Sequence, residues 1–202
     1  SGTFYGYEGL GSIYWHMVSK LLLATQECYM KSLKEPKGSI SNSLAIHYFN
    51  IKEGIGLHKS PALYGAFPTD PYSHTPMHRG AQQPGMTGQV KEDIVSNYGE
   101  LGIMIKEGEI TFHPVLLRKE FFTVDKKNYT HVNQANIHQQ LEVSPQSICF
   151  TFCQTPITYQ ISSKESIVLK FKTGKGKEID ALTLNKEVSK EIFSRSENIE
   201  SV

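Results

Sequence analysis

The apolar residues in the first half of the chain recur at the spacing of α-helices. Ser12 to Leu33 predicts a helix with Ser12 as its N-cap, and its apolar residues fall on most of its sides. A helix that is apolar nearly all round is expected to be buried between other helices. A second helix is predicted from about Ser41 to Glu53, with Gly54 as its C-cap. Its inner stripe is expected to contain Leu44, Ala45, Tyr48 and Phe49.

In the second half the pattern changes from helical spacing to the period of two that is typical of strands. Thr87 begins a third helix, over roughly 88 to 98, and Leu101 to Phe112 alternates around Glu107-Gly108, which predicts a hairpin. Residues 123 to 145 are polar and show no clear period, so no element is assigned to them. Further short alternating strands, at a spacing that favours an antiparallel sandwich, are predicted at 147–154, 157–162, 166–172 and 178–184.

These elements predict an α+β chain with two parts. Residues 1–100 form the helical part and contain a long proline-rich loop, whereas residues 101–202 form a β-sandwich domain. Two antiparallel helices cannot bury this much apolar surface by themselves, and the chain opens without Met or a signal-peptide pattern. We therefore expect the chain to be a segment of a longer protein.

The loop, from Gly65 to Asp93, is the most distinctive segment. Prolines at 61, 68, 71, 76 and 84 lie in it or beside it, with histidines, an arginine and paired glutamines between them. A connection of this length inside a domain is usually a functional loop, because rigid loops with polar side chains build ligand sites. A linker between two domains is the alternative interpretation, although linkers favour Gly, Ser and charged residues over aromatic ones.

Composition and charge narrow the classes of function. The 202 residues carry 21 basic and 20 acidic side chains, a net charge of +1, which gives no indication of a nucleic-acid or anionic-membrane partner. The longest apolar run, Leu21 to Ala24, is too short to cross a bilayer. Cys28, Cys149 and Cys153 have no metal-ligand spacing and are interpreted as small, mostly buried thiols. Charge and cysteine usage together favour the cytoplasm.

Few residues stand out as carriers of chemistry. His74 and His78 have the spacing of a helical metal pair, but Pro76 between them disfavours a helix, so no metal site is predicted. Thr87-Gly88 at a helix start offers free backbone N–H groups and a hydroxyl, which suit an anion, although most such starts are only N-caps. His16, within the first helix, is either a satisfied core histidine or a ligand.

The order of these motifs resembles the C-terminal part of the inverting disaccharide phosphorylases of the cellobiose and chitobiose phosphorylase type, which are (α/α)6-barrel enzymes. GLGSIYWHMVSK resembles the glycine-rich entry to a barrel helix with a phosphate-binding histidine, and AIHYF at 45–49 resembles the A-x-x-Y-[FY] helix that follows. YGAFPTDPY at 64–72 loosely matches the family's active-site loop, and Thr87-Gly88-Gln89 stands where the family has T-G-S. The family also ends in a small β-sandwich.

The resemblance implies roles for individual residues. It assigns His16, Thr87 and the backbone of Gly88 to a phosphate or substrate anion, and it makes inorganic phosphate a co-substrate with no other cofactor. The remaining candidates would bind the sugar: Trp15, Tyr64, Asp70, His74, His78, Arg79, Gln82 and Gln83. The general acid, an Asp on an earlier barrel helix, would precede Ser1, so this segment alone is expected to be inactive. The partner is an oligosaccharide, and the family is typically homodimeric.

Three functional hypotheses remain open from the sequence. The first is a segment of a glycoside phosphorylase or hydrolase of the (α/α)6 type. The second is a non-catalytic carbohydrate-binding or structural module. The third is an unrelated helical and sandwich protein whose long loop contacts another protein. Gln89 in place of the family's serine leaves open whether phosphate or water attacks.

Overall fold

The computed structural model describes residues 13–34, 39–55, 74–75 and 87–202, with side chains described at 17–34, 40–54 and 91–202. The chain divides into two compact units, Ser1–Gly99 and Glu100–Val202. The described residues are a mixture of helices and small antiparallel sheets, so the predicted α+β class is confirmed.

The described part of the first unit contains a short strand pair and three helices. Strand β1 (Ile13–Tyr14) leads directly into α1 (Trp15–Ser32), and it pairs antiparallel with β2 (His74–Thr75). Helix α2 is Ser39–Ile55 and α3 is Thr87–Glu100. All three predicted helices are therefore present, but the predicted N-cap at Ser12 is wrong, because Ile13–Tyr14 pair as a strand and α1 begins only at Trp15. The predicted C-cap at Gly54 is wrong, because α2 continues to Ile55.

Helices α1 and α2 form an antiparallel pair. The hydroxyl of Ser32, at the end of α1, lies 3.1 Å from that of Ser41, near the start of α2, and Gln26 reaches the hydroxyl of Tyr48 at 3.4 Å. Tyr48 is completely buried, and Leu44, Ala45 and Phe49 are half-buried around it. The predicted inner stripe of α2 is thus the side that packs.

The prediction that α1 is buried on most sides is wrong. Leu22 and Tyr29 are buried, but the side chains of Met17 and Leu21 are 54% and 55% exposed. The buried side of α1 also contains polar residues, namely Ser19, Thr25 and Gln26. Hydrophobicity alone therefore does not identify the inner face of this helix, because polar side chains occupy part of it.

The second unit is built from hairpins. Strands β3 (Ile103–Lys106) and β4 (Glu109–Phe112) pair around Glu107 and Gly108, both at positive φ, and β11 (Thr183–Leu184) adds to β4. The predicted hairpin is confirmed. Further hairpins join β5 (Lys127–Val132) to β6 (His138–Val143), and β7 (Ser147–Phe152) to β8 (Thr155–Gln160).

The last sheet links the end of the chain to the rest of this unit. Strand β9 (Ile167–Phe171) pairs with β10 (Gly176–Ile179) and with β12 (Ile199–Ser201). Helix α4 (Lys186–Phe193) precedes β12 and buries Ser189 and Ile192. Val202 exchanges backbone hydrogen bonds with β8 through Pro156 and Thr158, so the chain end connects two sheets. The core of the unit includes Ile110, Ile157, Leu169, Leu184, Ile192 and Ile199.

The cysteines and the end of β7 differ from what the sequence predicted. The cysteines are free, but the interpretation of all three as mostly buried is wrong, because Cys28 is exposed and Cys149 and Cys153 are half-buried. Strand β7 ends at Phe152, two residues earlier than predicted, because Cys153 and Gln154 form the hairpin turn with φ of 49° and 61°.

Candidate functional site

The contact between α1 and α3 is lined by polar side chains on both helices. On α1, Ser19 lies beside Asp93, and Gln26 contacts the main chain of Ser96 on α3; Glu92, next to Asp93 on α3, is also buried. We call these five residues the polar seam. On α3 the usual arrangement is inverted, since Glu92 and Ser96 are buried while Ile94 and Val95 are exposed. A helix of a globular protein normally buries its apolar stripe, so a polar inner face indicates that the seam serves more than packing.

Gln26 holds the seam together at its C-terminal end. Its side-chain Nε2 donates to the main-chain carbonyl of Ser96 at 2.7 Å and approaches the Tyr48 hydroxyl at 3.4 Å. One buried amide therefore contacts α2 and α3 at once. Gly99 allows this approach, because a Cβ at that position would overlap the Gln26 carboxamide.

Asp93 is the titratable group of the seam that solvent reaches most easily. Its side chain is half-buried, whereas that of Glu92 is 7% exposed. Burial raises the pKa of Asp93 above its ordinary value of 3.8, the neighbouring Ser19 hydroxyl opposes the rise, and the charge of Glu92 adds to it. Asp93 thus keeps its proton to a higher pH than a free carboxyl group, and a protonated carboxyl can donate a hydrogen bond.

Three buried atoms of the seam lack hydrogen-bond partners within the part of the chain that the structure describes. They are Oγ of Ser19 on α1, and Oε2 of Glu92 and Oγ of Ser96, which lie on one side of α3 at a spacing of i and i+4. The other oxygen of Glu92 lies 3.9 Å from the exposed ammonium of Lys91. Burying a polar group without a hydrogen bond costs free energy, so a seam of this composition is poorly explained by stability alone.

The two helices of the seam run in the same direction. Ser19 lies beside Asp93, and Gln26, two turns further along α1, contacts Ser96 and Gly99, which follow Asp93 along α3. The N-terminal ends of both helices therefore lie at the same end of the unit. His16 precedes Ser19 by about 4.5 Å of helix rise, and Thr87 precedes Asp93 by about 9 Å.

The strand pair brings a further predicted site residue to this end. Tyr14 is the register partner of His74, and Trp15 and His16 are the next residues along the chain. His74 therefore pairs with the residue that directly precedes α1, and Thr87 and Gly88 are the first two residues of α3. Six other candidates lie outside the described residues: Tyr64, Asp70, His78, Arg79, Gln82 and Gln83.

Sequence reasoning missed the polar seam itself. None of its residues was a candidate, because acidic residues in the first turns of a helix, such as Glu92 and Asp93, ordinarily only suit the helix N-terminus. The sequence did contain one indication. Ile94 and Val95 follow the two acidic residues directly, so the apolar residues of α3 lie on a different side of the helix from Ser96. That signal is too short to identify the inner face of a 14-residue helix from sequence.

Other classes of site receive no support from the described ranges. No group of three or more His, Cys, Asp or Glu side chains within them could hold a metal ion. None of the helices in the same ranges is long and apolar enough to cross a bilayer.

A scan of the sequence against protein-family models and a search of curated proteins both find no match.

Proposed function

We propose that the chain is the C-terminal part of an enzyme that cleaves glycosidic bonds, and that inorganic phosphate is the attacking group. The observation that carries the proposal is the polar seam between two parallel helices whose N-terminal ends lie together. Buried polar groups next to two such helix starts suit an anion and a sugar better than they suit a packed core.

The order of helices supports the finer fold that belongs to this proposal. In an (α/α)6 barrel, each first helix is antiparallel to the second and parallel to the first helix of the next pair. Here α1 is antiparallel to α2 and runs in the same direction as α3. We propose that α1 and α3 are inner helices of such a barrel, that α2 is an outer helix, and that the second unit is its terminal β-sandwich.

The anion would bind at the shared N-terminal end of α1 and α3. The unpaired N–H groups in the first turn of α3, together with the Thr87 hydroxyl and the His16 imidazole, provide donors for phosphate oxygens. Phosphate then attacks the anomeric carbon from one face, while a carboxylic acid protonates the departing glycosidic oxygen on the other. The family resemblance assigns that acid to an earlier helix.

Asp93 has a supporting role in this proposal. It lies about two turns inside α3 from the anion site, and its half-buried carboxyl group would hydrogen-bond to a sugar hydroxyl. Asp93→Asn retains a hydrogen-bonding group of the same shape and should keep activity within about tenfold, whereas Asp93→Ala loses the bond, worth about 1–3 kcal/mol. Loss of all activity in Asp93→Asn would instead make Asp93 the proton donor.

The anion site is tested by substitution in the full-length natural polypeptide. Thr87→Ala and His16→Ala should each raise the KM for phosphate by about tenfold to a hundredfold, since each removes one hydrogen bond to a charged group. The KM for the sugar should change much less. Asn97→Ala, at an exposed position on α3, is the matched control and should retain wild-type kinetics. Equal effects of all three substitutions would contradict the proposed site.

A further inference from the structure

The second unit contains a cleft of about 430 Å³ beside the end of β8. Its walls come from the end of β4, the turn at 113–115, Phe122, and β8 with the loop at 160–166. Sites for small molecules typically range from about 300 to 1,000 Å³. We call this the β8 cleft. Its lining includes Phe112, His113, Phe122, Tyr159, Gln160 and Lys164.

The floor of the β8 cleft is aromatic and fixed in position. Phe112 is 3% exposed and meets Tyr159 edge to face, with ring centroids 6.1 Å apart. Tyr159 meets Phe150 in the same way at 5.3 Å, and its hydroxyl donates to the carbonyl of Leu101 at 2.7 Å. The hydrogen bond and the two ring contacts restrain the Tyr159 ring, so the floor is formed before any ligand arrives.

The rim of the cleft offers polar groups to a ligand. Gln160 is exposed at the end of β8, and His113 is exposed after β4. The carboxamide of Gln160 supplies both a donor and an acceptor, and a neutral imidazole does the same. Phe122 is half-buried and adds an apolar wall. This combination suits a ligand with an apolar face and hydroxyl groups along its edges.

Charge at the cleft disfavours anions. Among the residues that the structure describes, Lys164 is the one lysine in the lining. Its ammonium lies 2.7 Å from Glu178 and 2.6 Å from Asp180, so two carboxylates already accompany one cation. Glu165 adds a further exposed carboxylate to the lining. A phosphate or carboxylate ligand would face net negative charge here, although exposed groups of this kind are screened by salt. A neutral ligand meets no such penalty.

We infer that the β8 cleft is a binding site for a neutral saccharide, which packs against the half-buried rings of Tyr159 and Phe122 and hydrogen-bonds to Gln160 at its rim. The site lies entirely within the second unit and does not depend on phosphate or on His16. It would add an attachment point for a glycan to a chain whose first unit is proposed to act on one. Failure of the proposed reaction in the first unit would therefore leave binding at the β8 cleft unchanged.

The test is calorimetric titration of the full chain with neutral oligosaccharides of two to six units: cello-, malto-, xylo- and chito-series. We expect binding of at least one series with a Kd on the order of 1 mM or tighter. Gln160→Ala and Phe122→Ala should each weaken that binding at least tenfold. Gln140→Ala, an exposed glutamine of β6 in another hairpin, should leave it unchanged.

Several outcomes would overturn the inference. These are no binding of any series, binding that Gln160→Ala leaves intact, or tighter binding of an acidic oligosaccharide such as polygalacturonate fragments. Gln160 is exposed, so its variant should fold even if Phe122→Ala does not, and circular dichroism checks this. Binding that persists in His16→Ala supports the cleft as its location, whereas binding lost there and retained in Gln160→Ala assigns the glycan to the first unit.

Discussion

The side chain of Gln26 on α1 donates a hydrogen bond to the main-chain carbonyl of Ser96 on α3, with Nε2 and O separated by 2.7 Å. Gln26 is 4% exposed, so this is a buried bond between two helices that are 70 residues apart in sequence. It fixes the relative position of α1 and α3 along their axes. The geometry of the proposed anion site therefore depends on this hydrogen bond, because the site needs the N-terminal ends of α1 and α3 to lie side by side.

Gly99 is expected to be essential for this contact. In Gly99→Ala the new Cβ overlaps the Gln26 carboxamide, which must move away and lose its bond to Ser96. The first unit should lose about 1–3 kcal/mol, the cost of leaving buried polar groups unpaired. Urea unfolding followed by far-UV circular dichroism measures the change.

Gly54→Ala is the matched control for that measurement. Gly54 lies within α2 and has open space where a Cβ would be, so alanine should gain up to about 1 kcal/mol from its higher helix propensity. If Gly99→Ala is as stable as Gly54→Ala, the contact of Gln26 with α3 is not tight.

Asp93 should make the stability of the first unit depend on pH. Its folded-state pKa is raised above 3.8, mainly by burial, so the stability it contributes is fully present below the unfolded value and is lost as the pH rises through the folded value. Asp93→Asn has no charge to bury, so it should raise the melting temperature at pH 7 and change it little near pH 3. A lower melting temperature at pH 7 would mean that the carboxylate is stabilised by a positive partner.

His131 should have the opposite pH dependence in the second unit. Burial lowers its pKa below the ordinary value of 6.5, and the ring stacks on Tyr129 with centroids 5.9 Å apart. Stability is therefore present above pH 6.5 and is lost as the pH falls, since the unfolded chain takes up the proton first. His131→Phe keeps the stacking and should reduce the loss of melting temperature between pH 7.5 and 5. His138→Gln, at an exposed histidine of the same hairpin, should not.

The turn between β3 and β4 offers a test of backbone conformation. Glu107 and Gly108 have φ of 51° and 85°, as a two-residue turn with both central residues at positive φ requires. Gly108→Ala should lose about 1–2 kcal/mol because an L-residue is strained there. Glu107→Asn should be neutral or stabilising, since Asn tolerates this region better. A destabilised Glu107→Asn would show that the Glu107 side chain matters more than its backbone.

The helices and most strands follow from pattern, but two hairpins show where pattern fails. Strands β5 and β6 are exposed along most of their length, and His131 and Val143 are their buried residues. Because most of their other residues are polar, the sequence shows too few apolar residues for an alternating pattern to be recognised. The turn at Cys153-Gln154 lacks Gly or Asn. Tertiary bonds support it instead, because Gln154 donates to the Asn133 carbonyl and to Asn136. Such support is long-range and leaves no local signal.

Helix α4 was missed although its signals are present. Asn185 accepts a hydrogen bond from the backbone N–H of Val188, which is the geometry of an N-cap, and the buried Ile192 follows Val188 at i+4. Eight residues are too few for periodicity to stand out. The polar seam was missed for a different reason, since polar residues on a helix are ordinarily expected to face solvent.

The central claim is tested most directly by product analysis of the full-length natural polypeptide. It would be incubated with neutral di- and oligosaccharides, with and without inorganic phosphate, and the products followed by phosphorus and proton nuclear magnetic resonance. We predict phosphate-dependent formation of a sugar 1-phosphate with inverted anomeric configuration. Release of free sugar without phosphate would make the enzyme a hydrolase. No turnover of any substrate would contradict the account of the first unit as part of a catalytic site.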